Sequence, residues 1–443
     1  MAKRSFQAPT GTRDLYPEDA ARRRYLTEAW RDVSLIHGFE EIAGPTFEHL
    51  DLYTVKSGEG IVSELFSFRR AGGDTDYALR PEFTPTLARM YAARANALPK
   101  PTKWFTAGSY FRAERPQRGR LREFLQWNID ILGGAGDELP VYDAEIIACC
   151  VDLLSALGLT SQDVTIRISD RSLVTGAMRE LGVEDADVER ALALLDRRDR
   201  MPGAEFEGRC REVGLEAGRL ADMLKMREDE ANSALAALEQ GAEPAPSAFL
   251  DLPLAHMVRE LARIGAARWC RFDFGIVRGL AYYTGMVFEV VVEGERAVAG
   301  GGRYDGLVEL LGGPSTPAVG FAMGDAVISL VLEDKGLLPQ GAALLDRIAR
   351  PPASVRPQAF VVTGDESLDM LVMRLVADLR RAGVHARRSC KTTRNIGKLL
   401  KEASQQQARF AVIVEDAQRA TVKNLDDQSQ REVALGEVAA IVR

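Results

Sequence analysis

The chain has 443 residues, so at least two domains are expected, because one hydrophobic core rarely serves a chain of this length. Its composition, 46% hydrophobic and 27% charged, excludes disordered, collagen-like and short-period repeat proteins. A net charge of −7 argues against a protein that coats nucleic acid, although local basic surfaces stay compatible with a specific RNA partner.

Three observations bear on compartment and cofactors. The first residues lack the apolar run of a signal peptide, and no stretch approaches the roughly 20 apolar residues of a membrane helix. The five cysteines show no CxxC spacing and the four histidines no HxxxH spacing, so we expect no zinc site. A cytoplasmic protein with no membrane partner and no protein-held cofactor is predicted.

The first predicted element is an amphipathic helix over residues 18–37. Leu26, Trp30, Val33 and Ile36 recur there at helical spacing, so their side chains should face a core. From residue 39 to about 134, strand-like runs such as KWFTAGSYFR and REFLQWNIDILG alternate with turns and one helix after Pro85. Short strands in succession favour an antiparallel sheet.

The next segment, about residues 172–250, is rich in Ala, Leu, Glu and Arg with helical periodicity, and it predicts a helical insertion. Strand signals return in RWCRFDFGIVRGL and GMVFEVVVEG. We therefore expect a discontinuous first domain, residues 1–334, whose sheet is completed after the insertion.

Prolines and a loss of periodicity predict a linker over residues 335–357. Residues 358–443 then alternate between strands and helices, beginning with AFVVTG and DMLVMRLVADLRRAG. This alternation is typical of a small α/β domain.

An arginine-rich loop is expected between two of the early strands. Its arginines are Arg112, Arg115, Arg118, Arg120 and Arg122. Guanidinium groups hold phosphates through forked, charge-assisted hydrogen bonds, and Arg112 with Glu114 would suit an α-phosphate and a purine edge. The alternative interpretation is a solvated hairpin tip.

The segment LRPEFTPT sets Glu82 and Thr84 beside two stiffening prolines. A carboxylate and a hydroxyl on a rigid turn suit a substrate ammonium group, whereas helix capping is the alternative.

In GIVRGLAYYTG, Arg278 stands among apolar residues, glycines and two tyrosines. A buried arginine there faces either a bound anion or a distant carboxylate.

Two glycine-rich segments, GGGRYDG and GFAMG, each lead from a strand towards a helix, where backbone N–H groups favour anions. The chain has no GxxxxGK[ST] motif and no GxGxxG between a strand and a helix. Neither a P-loop nor a Rossmann site is supported.

Residues 380–401 contain eight Lys or Arg residues and no Asp or Glu. They predict a surface that neutralises backbone phosphates, with an ordinary solvated face as the alternative.

Taken together, these segments resemble the histidyl-tRNA synthetases, a class II aminoacyl-tRNA synthetase family, over nearly the whole chain. GFEEIAGPTFE, with Pro45, resembles the first class II motif at a dimer interface, and FRAERPQRGRLREFLQ resembles the ATP-binding second motif. RGLAYYTG and GGRYDGL resemble the two histidine-specific signatures. The resemblance implies an α+β fold, with an antiparallel sheet flanked by helices, a helical insertion and a C-terminal anticodon-binding domain.

The same resemblance implies a site and an activity: ATP, with Mg²⁺, activates L-histidine, and a homodimer transfers it to tRNA. Arg112 and Arg278 would be catalytic. The resemblance does not identify protein ligands of the Mg²⁺ ion. The implied histidine-binding residues are Glu82, Phe83, Thr84, Gln126, Asp130, Arg278, Tyr282, Tyr283 and Tyr304. The implied ATP-binding residues are Arg112, Glu114, Arg120 and Phe124.

Three positions depart from the family pattern. Val327 stands where the third motif usually has an arginine, Asp130 replaces a pocket glutamate, and Ala281 replaces an aspartate. The rival interpretation is a histidine-binding regulatory subunit of ATP phosphoribosyltransferase, a kind that typically lacks the C-terminal domain this chain retains. A structural protein built on a decayed catalytic fold is a third.

Overall fold

The structure is a computed structural model that describes residues 6–57, 59–198, 201–276, 283–348, 357–406 and 408–443. Its helices are α1 (Pro17–Ile36), α2 (Asp51–Ser57), α3 (Thr84–Ala92), α4 (Leu139–Ala156), α5 (Arg171–Glu180), α6 (Asp185–Asp196), α7 (Gly203–Glu212), α8 (Ala217–Glu239), α9 (Pro253–Arg263), α10 (Leu307–Leu310), α11 (Asp325–Asp334), α12 (Gly341–Ile348), α13 (Asp369–Arg381), α14 (Ile396–Gln405) and α15 (Val438–Val442). Within these residues, no helix combines the length and apolar character needed to cross a membrane.

The described residues also form strands along the whole length of the chain. They are β1 (Glu40–Glu41), β2 (Phe47–His49), β3 (Ser67–Arg69), β4 (Asp76–Leu79), β5 (Thr102–Phe111), β6 (Glu123–Leu132), β7 (Thr165–Asp170), β8 (Cys270–Phe272), β9 (Met286–Val291), β10 (Ala299–Arg303), β11 (Ala318–Gly324), β12 (Ala359–Thr363), β13 (Ala386–Arg388), β14 (Phe410–Val414), β15 (Arg419–Asn424) and β16 (Gln430–Ala434).

The large sheet in the described part of the chain has the order β1-β5-β6-β11-β10-β9-β7-β8. Its inner pairs are antiparallel, while β1 runs parallel to β5 and β7 runs parallel to β8. Strands from both sides of the insertion thus share one sheet, and the predicted α+β class is confirmed.

The first predicted helix is confirmed as α1, with Leu26, Trp30 and Val33 buried. This helix packs with α4 on one face of the large sheet, where the Trp30 and Trp127 rings stack with centroids 6.2 Å apart. A second core on α3 and α10 contains the buried ring of Tyr91. Apolar burial on both faces holds the central strands in place.

Helices α5 to α8 lie between β7 and β8, in the segment for which the sequence predicts an insertion. Asp170 caps the N-terminus of α5, since its side chain accepts a hydrogen bond from Leu173 N at 2.8 Å. Asn232 of α8 is bonded to the backbone of Phe272 in both directions, so the helices are tied to the β8 edge.

Two local predictions differ from the structure. The expected linker contains α12, which packs on α1 and buries Leu344. The strand expected over RWCRFDFGIVRGL ends at Phe272, because Asp273 Oδ1 accepts the Gly275 N–H in a tight turn.

The C-terminal residues form a five-stranded sheet of order β13-β12-β14-β15-β16. Strand β12 is parallel to both of its neighbours, β13 and β14. The pairs β14-β15 and β15-β16 are antiparallel. The sheet contacts the first domain, since Arg387 Nη2 donates to Gly38 O at 2.7 Å. The predicted small α/β unit is therefore present, with an antiparallel hairpin added.

Candidate active site

A row of polar side chains along β6 forms the floor of a cavity. Trp127, Ile129 and Ile131 enter the first core, while Gln126 and Asp130 line the cavity, because successive strand residues point to opposite faces. Asn128 also lines the cavity and accepts a hydrogen bond from Gln126 Nε2 at 2.9 Å. Asn128 is not among the predicted site residues, although the alternation of polar and apolar residues in QWNIDI places it on the same face as Gln126 and Asp130.

Small residues on β11 make room above that floor. Gly320, Ala322 and Gly324 pair in register with Asp130, Asn128 and Gln126, and each of the three lines the cavity. A Cβ on Gly320 would come within 2.0 Å of Asp130 Oδ1. Only glycine fits opposite this carboxylate.

Asp130 is the buried acidic end of the cavity. Its Oδ1 accepts a hydrogen bond from the Tyr304 hydroxyl at 2.6 Å, while Oδ2 is buried without a hydrogen-bond partner among the described residues. Burial raises the pKa of Asp130 to about 7, and the bond from Tyr304 opposes this rise. A buried carboxylate with a vacant acceptor suits a ligand N–H group.

The other predicted substrate-binding residues divide between the cavity and the core. Glu82, Thr84 and Tyr283 line the cavity as predicted. Phe83 does not: its ring is fully buried in the second core, with the Arg80 guanidinium 5.8 Å from the ring centre, and its histidine-binding role stays a prediction. Thr84 begins α3 without a side-chain cap, so the capping alternative for this segment is not observed.

Arginines line the opposite end of the cavity. Arg112 lies 5.1 Å from the centre of the Phe124 ring, and its Nε donates to Pro81 O at 3.3 Å. Arg120 lines the cavity and forms an ion pair with Glu114, which itself lies behind the lining. This end offers guanidinium groups and an aromatic face to an anion joined to a flat ring.

The remaining arginines of the loop have different roles. Arg118 bonds Glu295 and Asp334, each at 2.9 Å, and Arg122 Nε donates to Glu114 O at 3.2 Å. Arg115 is exposed. The loop is held to its surroundings by these pairs, so a freely solvated hairpin tip is not what the structure shows.

Helix α11 closes the cavity beside the arginine-rich loop. Val327 lines it with 7% of its surface exposed. The neighbouring Asp325 is buried, accepts the Leu125 N–H at 2.9 Å and pairs with Arg13 at 2.5 Å. The glycine-rich entry to α11 therefore already holds a carboxylate at its N-terminus.

Some predicted features lie outside the described residues, namely Arg278, Ala281 and Tyr282. Within the described ranges, no group of three or more His, Cys, Asp or Glu side chains is placed to hold a metal ion.

The basic segment 380–401 is only partly a surface. Arg380 is buried and pairs with Glu145 of α4 at 3.0 Å, and Arg394 forms two bonds of 2.6 Å with Asp369. Lys398 and Lys401 remain exposed on α14. Part of the predicted phosphate-binding charge is thus used within the protein.

The cavity therefore has two chemically distinct ends. One offers a buried carboxyl group, a tyrosine and the carboxylate of Glu82, and it suits a cationic or N–H-bearing ligand. The other offers arginines and an aromatic ring, and it suits a nucleotide phosphate. Two ligands bound together would meet near Gln126, between the ends.

Comparisons with known proteins agree with this geometry. A family model described as histidyl-tRNA synthetase matches residues 11–326, and one described as anticodon binding domain matches residues 358–443. The histidine–tRNA ligase of Opitutus terrae is 36% identical and covers 99% of this chain and 98% of its own length. That of Haloarcula marismortui is 36% identical, covering 97% and 96%.

Solved structures support the same fold. The crystal structure of histidyl-tRNA synthetase from Nostoc sp. PCC 7120 matches with a TM-score of 0.59 at 24% identity, covering 99% of each chain.

Proposed function

This chain belongs to the histidyl-tRNA synthetase family, and we propose that it ligates L-histidine to tRNA at the expense of ATP. In the first step, the histidine carboxylate attacks the α-phosphorus of ATP, forming histidyl-adenylate as the bond to pyrophosphate breaks. In the second, a hydroxyl of the terminal ribose of tRNA attacks the activated carbonyl and releases AMP.

One observation carries the proposal: the cavity joins a carboxyl end to an arginine end. Asp130 and Tyr304 lie at the first, and Arg112 and Arg120 at the second. Two substrates that must react need to be bound with their reacting atoms adjacent, which removes much of the entropic cost of bringing them together.

The arginine end is proposed to bind ATP. Arg112 would hold the α-phosphate, Phe124 would stack on the adenine, and Glu114 would orient Arg120 through their ion pair. Fixed guanidinium groups stabilise the charge that develops on the phosphate without reorganising during the reaction. Arg278 would add to this charge stabilisation.

The carboxyl end is proposed to bind histidine. Asp130 Oδ2 would accept an imidazole N–H, while Tyr304 holds Oδ1 at 2.6 Å. Glu82 and Thr84 would bind the ammonium group, with Gln126, Tyr282 and Tyr283 completing the pocket. A site with a buried acceptor disfavours side chains that leave it unpaired.

Mg²⁺ is proposed to arrive with ATP, since this ion is usually held by substrate phosphates and water with few protein carboxylates. It would neutralise phosphate charge beside Arg112 and Arg120.

The C-terminal domain is proposed to bind the anticodon region of tRNA. The exposed Lys398 and Lys401 of α14 support this, since lysines on one helix neutralise backbone phosphates. A charge-reversed Lys398→Glu/Lys401→Glu protein should keep histidine-dependent pyrophosphate exchange and charge tRNA less efficiently.

A homodimer is also proposed. An aromatic patch of Phe47, Phe68 and Tyr77 lies beside the first class II motif, with ring centroids 5.6 to 5.8 Å apart. Phe47 and Phe68 remain 49% and 42% exposed, which is unusual for contacting aromatic rings on a free surface. Light scattering at micromolar concentration should give twice the chain mass, and a fully active monomer would contradict the dimer.

The regulatory-subunit alternative has less support, because the chain keeps both the C-terminal domain and the ATP-side arginines. The protein is proposed to act in the cytoplasm, in agreement with its five free cysteines.

The proposed function is tested by aminoacylation. The protein should attach histidine to tRNA only when ATP is present. Histidine binding without adenylate formation or charging would contradict the proposal.

A further inference from the structure

Among the described residues that line the phosphate end of the cavity, two are cationic. Arg112 and Arg120 line it, but Arg120 is already paired with Glu114. Helix α11 contributes the apolar side chain of Val327. Burying phosphate charge is costly unless cations compensate, so a further cation beside this lining would favour binding of the outer phosphates.

Arg296 lies at this end of the cavity. It stands in the hairpin between β9 and β10, directly before Ala297 and Val298, which line the cavity. A Cβ placed on Gly119 would lie 3.9 Å from Arg296 Cδ and 3.1 Å from Val327 Cγ2. Arg296 and Val327 therefore flank the same glycine of the arginine-rich loop.

The hairpin that carries Arg296 is fixed from two sides. Arg118 of the arginine-rich loop bonds Glu295 at 2.9 Å, and the same guanidinium bonds Asp334 at the end of α11 at 2.9 Å. Glu295 is the residue directly before Arg296. The charge of Arg118 is thus used in positioning the hairpin.

Arg296 itself has no ion pair or hydrogen bond to any described residue, and its side chain is exposed. Its guanidinium therefore lies beside the phosphate end of the cavity without an ion-pair partner among the described residues. Binding a phosphate there would break no existing ion pair, and the planar guanidinium suits phosphate geometry.

We propose that Arg296 binds the β- and γ-phosphates of ATP and supplies the charge that α11 lacks at Val327. This inference rests on the proposed function, since it assigns a further residue to the same ATP site. Arg118 is a positioning residue, because it acts through Glu295 and not on the nucleotide.

The test is Arg296→Ala, with Arg268→Ala as a matched control that removes an exposed arginine outside the cavity lining. Binding of AMP and of the non-cleavable analogue α,β-methylene-ATP is measured by calorimetry, and the KM for ATP is measured in histidine-dependent pyrophosphate exchange. Arg296→Ala should weaken analogue binding about tenfold, as expected for a charge-assisted contact, and leave AMP binding unchanged. The KM for ATP should rise by a similar factor, and Arg268→Ala should match the wild type.

Equal affinity of the wild type and Arg296→Ala for the analogue would overturn the inference, and so would an equal loss for AMP and the analogue, since AMP has no outer phosphates. These outcomes differ from failure of the proposed function, in which the wild-type protein itself shows no exchange with histidine.

Discussion

Arg112 is the residue on which the phosphate end of the site depends most. Arg112→Ala should lower kcat for histidine-dependent pyrophosphate exchange by about 10²–10³, the usual loss when one charge-stabilising donor is removed. The protein should stay folded, because the Arg112 side chain lines the cavity and is not part of a hydrophobic core. Arg115→Ala, in the same loop but exposed, is the control and should keep near-normal exchange. Similar activity in both variants would remove Arg112 from catalysis.

Asp130 should make stability depend on pH. Burial raises its pKa from 3.8 to about 7, so the folded protein binds a proton that the unfolded chain has released between these values. Its contribution to stability is therefore most favourable below about pH 4 and is lost as the pH rises through 7. Asp130→Asn removes this dependence, so its stability relative to the wild type should increase by about 3 kcal/mol between pH 5 and pH 8.

Urea unfolding at pH 5 and at pH 8 measures this change in the free energy of unfolding. The control is Asp74→Asn, an exposed carboxylate whose replacement should shift stability equally at both. An Asp130→Asn effect that is the same at pH 5 and pH 8 would contradict a raised pKa.

Local pattern and family resemblance together predicted which strand places polar side chains in the cavity. Gln126 and Asp130 line the cavity, whereas the ring of Phe83 is buried in the second core. Their roles in binding histidine stay predictions. The bonds of Arg118 reach residues 177 and 216 positions away, so no local signal predicts them. Arg278 and Tyr282 remain predictions.

Among the elements, the pairing of β6 with β11 is the feature that creates the substrate pocket. Gly320→Ala would place its Cβ 2.0 Å from Asp130 Oδ1 and 2.6 Å from Ile129 O. Overpacking of this kind should destabilise the protein by about 1–3 kcal/mol and raise the KM for histidine. Gly306→Ala is the matched control, since its Cβ meets nothing within 4 Å. Stability is measured by urea unfolding. An unchanged free energy of unfolding in Gly320→Ala would mean that β6 and β11 accommodate the added Cβ without strain.

Elements with a strong period were predictable, and those defined by packing were not. The apolar spacing of Leu26, Trp30 and Val33 predicted α1, and strand alternation predicted β5 and β6. Helix α12 was missed, because it is short and is stabilised by packing on α1. Strand β8 was predicted too long, because the turn at Asp273 outweighs the apolar run.

For the molecule as a whole, a buried charge cluster joins the two domains. Glu145 of α4 pairs with Arg380 at 3.0 Å and with Lys103 at 3.2 Å, and it bonds His37 at 3.0 Å. Burial alone would raise the pKa of Glu145, but Arg380 and Lys103 lower it well below its usual value. Glu145 is therefore ionised when the domains are in contact.

Arg380→Ala should lower the free energy of unfolding by about 3 kcal/mol, because removing one partner leaves the buried Glu145 undercompensated. Arg381→Ala, one residue along the same helix but exposed, should cost less than about 1 kcal/mol. Denaturant unfolding of both variants at pH 7 measures the difference. Equal small losses would show that the contact between the domains contributes little to stability.

The existence of two domains followed from length and from the change of pattern near residue 335. Their contact did not, because Arg380 and Glu145 are 235 positions apart in the sequence. Because its acidic partner is so distant in the sequence, the basic segment 380–401 alone predicts a surface, although Arg380 is buried.

ATP–pyrophosphate exchange with each of the twenty amino acids in turn is the most direct test of the proposed activity, because it isolates activation from tRNA binding. Exchange with histidine alone is predicted, in a protein that carries Asp130 in its pocket and Val327 on α11. No exchange with histidine while histidine still binds would contradict the proposed ligase activity and favour the regulatory alternative.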